Sequence, residues 1–274
     1  GGIDLDSSAG QVRGGTLTIT SQNLASLETN VTGLQATISD PSATLTIREW
    51  DGLNILSNVK TAGGDIDIIA GQNASGVLVG SGVVNASTGN VMLTNNNGSI
   101  TLTSVPGQVK GNLLTTASSG ATYINTDVNE VTASVSGAGQ RFTLAEANGL
   151  TINASGITTN GGTITVSAGN TGTGDITGSG SVNAATGNVE FYNTNGSVTL
   201  NSSTGQVRGY LLSVTAQNGA ALNTNVTYLT AGITDASGDL TIRERDTLSL
   251  LNSVTTTGGD IDIIAGQNAS GVLV

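Results

Sequence analysis

Three sets of side chains recur in this sequence at spacings that could do chemistry. The first is the pair Asp65 and Asp67, repeated as Asp260 and Asp262, with Asp4 and Asp6 as a similar pair. Residues i and i+2 of a strand share a face. Two such carboxylates could bind Ca²⁺ through oxygen or act as acid and base on a glycosidic bond. The middle of the chain carries Thr163 and Thr165 in their place. A ligand pair dispensable there reads better as a solvated face. The second set is Glu49, Glu146 and Glu244, in LTIREW, FTLAEA and LTIRER. No second acid accompanies it, so it is expected either to cap a turn or to pair with Arg48, Arg243 or Arg245, exposed pairs contributing about 0–1 kcal/mol. The third is the cation of GQVRG and GQVKG: Arg13, Lys110 and Arg208. These could meet acidic groups of the chain's own surface or an anionic glycan, and the first is the expectation.

The remaining composition closes most other chemistries. The chain has no His and no Cys, which removes Ser-His-Asp and Cys-His arrangements, thiolate metal sites and any disulfide framework. No GxxxxGK[ST] motif occurs, and the glycines fall at corners instead of opening a helix. No catalytic, metal-ligating or cofactor-binding residue is therefore assigned, and no cofactor is expected. Eight basic residues against 19 acidic ones give a net charge of −11, the wrong sign for a phosphate backbone, so nucleic acid is not an expected partner. No apolar run approaches the ~18 residues of a membrane helix, and no insertion of this segment is expected. Asn30, Asn73, Asn85, Asn153 and Asn225 stand in Asn-x-Ser/Thr triplets. They read as turn residues and stacked Asn ladders, although in a eukaryotic secretory setting they would be glycan acceptors. The run Thr16–Thr20 resembles an ice-binding face, but Thr-x-Thr would have to return on every coil, and here such runs are scattered.

The elements that carry these residues follow from internal repetition. Residues 63–79, GGDIDIIAGQNASGVLV, return letter for letter as residues 258–274. Residues 10–59 pair with 205–254 at the same offset, and between them NNNGSITL (95–102) matches NTNGSVTL (193–200). Three copies result, at 1–97, 98–195 and 196–274, the last truncated, each of about 98 residues and read as parts of one continuous solenoid. The chain opens and closes inside a copy and is read as a segment of a longer protein. Each copy divides into about four stretches of some 24 residues, with three short strands apiece bounded by Gly or Asn-Gly. That rhythm predicts an all-β parallel β-helix with three strands per coil and about four coils per copy. An immunoglobulin-like sandwich, with longer strands and a richer aromatic core, is the competing architecture. Alternation agrees with the coil: Leu45-Thr46-Ile47-Arg48 and Ile100-Thr101-Leu102 place apolar side chains inward and polar ones outward. Val91-Met92-Leu93 aligns with Val189-Glu190-Phe191, so the middle position must face solvent.

The GNVxL, NGSITL and GQVKG coils, with their GGDIDIIAG and STGNV turns, resemble the filamentous-haemagglutinin type of bacterial exoprotein. The resemblance covers essentially the entire chain and rests on style and periodicity. The amino-terminal NPNG/NPNL-type secretion signature of that family is absent here. The resemblance implies a right-handed β-helix, an extracellular or bacterial cell-surface location, and adhesion or surface-layer work. Expected partners are further copies, end to end or side by side, or surface glycans and other cells. The alternatives are a carbohydrate-active β-helix enzyme, which would show one non-repeating acidic cluster, and a passive stalk for a binding domain elsewhere.

Overall fold

The computed structural model describes residues 1–5, 12–203, 205–267 and 271–274. Asp6, and Gly10 and Gln11 of the first GQVRG motif, lie outside the described residues. Among the described residues there are 24 strands and no helix. The chain is an all-β parallel β-solenoid with coils repeating about every 22 residues. It divides into two compact units, Gly1–Glu130 with Ser134–Gly137, and Val131–Ala133 with Ala138–Val274.

Side-chain alternation builds the walls. In the first unit Ala25, Leu45, Ile66 and Val91 are register partners on successive coils, and Leu27, Ile47, Ile68 and Leu93 form a second column two residues along. All eight are buried, while Thr46, Asp67 and Met92 between them stay partly open to solvent. Period-2 pleating puts neighbours on opposite faces, and β-branched side chains pack well on such a surface. Each fully buried aliphatic residue contributes about 1.5–3 kcal/mol. In the second unit Phe142, Ile164, Val189 and Leu212 stack in the same way, beside Leu144, Val166, Phe191 and Val214. Both phenylalanines are fully buried; the narrow core admits them where the column neighbours are Ile and Val.

Corners are made in two ways. Some strands run straight through a bend: Ala25–Ile38 pairs through residues 25–29 with Leu45–Glu49 and through residues 33–38 with Leu53–Thr61. Others stop at a glycine. Gly71, Gly169 and Gly266 have φ of 66°, 69° and 78°, the left-handed region that costs a Cβ-bearing residue. Their amides donate to the carbonyls of Asp51, Asn148 and Asp246 on the preceding coil, at 2.7, 2.9 and 2.9 Å. One corner is thus reproduced in all three copies.

The copies do not stack on themselves. Ile3 leads through Ala25, Leu45 and Ile66 to Val91 in four coils. Its sequence equivalent in the next copy, Ile100, instead lies on the wall of Leu78 and Leu53. The second unit repeats the displacement. Thr143 stands on the wall of Thr165, Glu190 and Ser213, whereas its equivalent Thr241 stands on the wall of Thr199 and Ala221. A full copy of about 98 residues therefore holds four coils and part of a fifth, and its features reappear on a different wall.

Candidate functional site

The recurrent glutamate lies inside the coil. Glu49, Glu146 and Glu244 are fully buried, because Leu45, Ile47 and Glu49 share the inward side of one strand. Glu49 accepts the Thr29 hydroxyl at 2.7 Å, the Val31 amide at 3.1 Å and the Trp50 amide at 3.0 Å. Glu244 repeats the pattern with the Thr224 hydroxyl at 2.8 Å and the amides of Val226 and Arg245 at 3.0 and 2.8 Å. Glu146 accepts the Asn148 amide at 3.2 Å. Burial pushes the Glu49 and Glu244 carboxyls above their ordinary range, opposed by the donors converging on them. Of the two expected roles, turn capping is the one found. The exposed ion pair is corrected: Arg48 approaches Glu28 at 3.7 Å and Arg243 approaches Asp262 at 3.6 Å. The physical reason is strand parity, which sends the glutamate and the adjacent arginine to opposite faces.

The aspartate pairs are not brought together as ligands. Asp65 is exposed and accepts the Asn90 amide on the next coil at 2.7 Å. Asp67 is half-buried between Thr46 and Met92; burial raises its pKa against the opposing Arg48 charge. In the middle copy Thr165 takes its place and donates to Glu190 at 3.0 Å. An aspartate at this position would face the Glu190 carboxylate across the ladder, an arrangement that would be destabilising. Among the described residues no three His, Cys, Asp or Glu side chains group as a metal site.

The cations have local partners. Lys110 pairs with Asp127 at 3.0 Å, and the Arg208 Nε donates to the Gly205 carbonyl at 2.8 Å. Arg13 is exposed, beside Asn30 in register.

Two further sets of residues serve the corners, and neither was singled out in the sequence. Gln108 and Gln206 of the GQV motifs are fully buried. The Gln108 amide donates to the Gly80 and Gly82 carbonyls at 2.8 Å each, and its oxygen accepts the Ser104 amide at 2.8 Å. Gln206 does the same with Gly178, Gly180 and Ser202. A glutamine invariant between copies beside a variable Lys or Arg was the available signal. Asn95 and Asn193, outside the asparagines expected at turns, are buried too, donating to Gly76 and Ser99, and to Gly174 and Ser197. Asn85 closes a turn by accepting the Ser87 amide at 2.8 Å. The threonines of residues 16–20 meet Gly33, Gln35 and Thr37 on the next coil, so no Thr row persists.

Among the concave features of the first unit is a groove of about 410 Å³ at the corner of three successive coils. Asn30, Asp51, Asn54 and Ser75 line it with Val77 and Val79. Asp51 is its single carboxylate, whereas glycosidic cleavage uses two. No protein-family model matches the sequence, and no curated protein or solved structure matches it either.

Proposed function

We propose that this chain is a structural and adhesive segment of a large repetitive bacterial protein, displayed outside the cell, and that it is not an enzyme. The observation that carries this reading is where the recurrent polar groups go. Glu49 and Glu244, Gln108 and Gln206, and Asn95 and Asn193 all turn inward and bond backbone groups at coil corners. Such residues recur because each copy needs the same corner. A catalytic cluster would occur once. The filamentous-haemagglutinin style of the repeats supports a surface location, and the acidic surface is suited to uncharged partners.

The test is adherence. Purified chain immobilised on a surface is expected to retain bacterial or host cells above a denatured control, without releasing products from pectate or alginate. Folded chain that retains no cells would refute the adhesive role and leave that of a spacer. Release of unsaturated oligosaccharides would overturn the non-enzymatic reading.

A further inference from the structure

The corner groove of the first unit differs from every other polar corner described above. Asn85, Asn95, Gln108 and Glu49 spend their side chains on the chain's own backbone. Asn30, Asp51, Asn54 and Ser75 line the groove and make no such side-chain bonds among the described residues. Beside them, Val77 is 46% exposed, an apolar surface next to an array of donors and acceptors. The volume of about 410 Å³ falls within the ~300–1,000 Å³ range of small-ligand sites.

We propose that this groove binds a neutral saccharide, a proposal that rests on the adhesive reading above. Two features select that chemistry. Strands of the wall are paired on both edges, as Leu53–Thr61 is with the coils before and after it, so an extended peptide finds no free backbone edge to extend. The groove offers side-chain hydrogen bonds instead, which suit a ligand dense in hydroxyls, with Val77 and Val79 against its C–H faces. The Asp51 carboxylate, in a chain of net charge −11, disfavours uronates and sulfated sugars. The lining recurs in part: Asn225, Asp246, Val272 and Val274 occupy the same positions of the third copy, where Ser249 replaces Asn54, while the middle copy has Asp175 and Thr177 where the valines stand.

The single tryptophan, Trp50, adjoins Asp51 in sequence and serves as a spectroscopic probe, with binding heat read alongside it by calorimetry. The full chain is titrated with cellohexaose, maltohexaose and lacto-N-tetraose, with hexagalacturonate and a Thr/Ala heptapeptide as contrasts. At least one neutral saccharide is expected to shift Trp50 emission saturably. The double variant Asp51→Ala/Asn54→Ala is expected to weaken that binding at least tenfold, and Asp262→Ala to leave it unchanged. Binding of hexagalacturonate or peptide alone, no response to any neutral saccharide, or equal affinity in the double variant each overturns the proposal. Circular dichroism confirms that the variants are folded. Adherence of cells to the same proteins separates the two readings. Adherence unchanged in the double variant, with no saccharide binding by the parent chain, sinks the groove and spares the adhesive role. Saccharide binding without adherence does the reverse.

Discussion

Replacing Glu49 tests whether a buried carboxylate holds the coil corner. Glu49→Ala removes the acceptor of the Thr29 hydroxyl and of the Val31 and Trp50 amides. The Trp50 amide keeps the Thr29 carbonyl at 2.9 Å, so the main loss falls on Val31 and Thr29. A buried donor left unpaired costs about 1–3 kcal/mol, and each lost buried methylene adds about 0.8 kcal/mol. Glu49→Ala is therefore expected to destabilise the first unit by about 3 kcal/mol. Glu49→Gln keeps one acceptor oxygen but turns an NH₂ toward donors, for a loss of about 1–2 kcal/mol. Urea unfolding followed by circular dichroism gives the totals, and amide exchange at Val31 locates them. Burial holds the Glu49 carboxyl above its ordinary value of 4.5, so the folded chain binds this proton more tightly than the unfolded one. Its contribution is greatest below pH 4.5 and falls as pH rises through the folded value. Glu49→Gln together with Glu244→Gln is expected to flatten that decline. An alanine variant within 0.5 kcal/mol of the parent, with Val31 protection unchanged, would refute the reasoning.

Three other perturbations follow from the same structure. Gln206→Ala strands the Gly178 and Gly180 carbonyls and the Ser202 amide, and is expected to cost about 2–3 kcal/mol in urea unfolding. Phe191→Ala empties a site between Val166 and Val214; a loss of about 3–5 kcal/mol is expected, measurable by thermal melting of the isolated chain. Gly82→Ala would drive its Cβ into the Ser57 carbonyl, so a lower melting temperature and faster amide exchange at Val84 are expected; an unchanged melt would mean the corner yields freely.

The walls were legible because alternation is a local signal. Leu45-Thr46-Ile47 and the exchange of Met92 for Glu190 at an outward position both read correctly from residue parity. For Glu49 a turn cap and a surface ion pair were both left open, although the same parity, counted two residues further, turns it inward with Leu45 and Ile47 and rules out the pair. Charge beside Arg48 outweighed pattern, and only the convergence of Thr29, Val31 and Trp50 donors from the sequence neighbourhood and the preceding coil makes that burial tolerable. The groove was invisible because its residues come from three coils, and each alone is an ordinary turn residue. Coil length was also hidden. Stacked residues are 17 apart at Val207 and Thr224 but 26 apart at Leu150 and Ile176, so a fixed repeat length does not reveal how many coils it contains.

The displacement of copies between walls is directly measurable, since the chain has no Cys to interfere. Spin labels at residues 4 and 92 stand on one wall, four ladder steps apart through Ser26, Thr46 and Asp67. At ~4.8 Å per step the expected backbone separation is about 19 Å. Labels at 4 and 101, sequence equivalents in successive copies, stand on different walls, Thr101 following Val79 and Asn54. Electron–electron distance measurement is expected to return the shorter, same-wall separation for 4/92 and a longer one for 4/101. The same-wall distance appearing at 4/101 instead would contradict parallel coils that carry each copy onto a new wall.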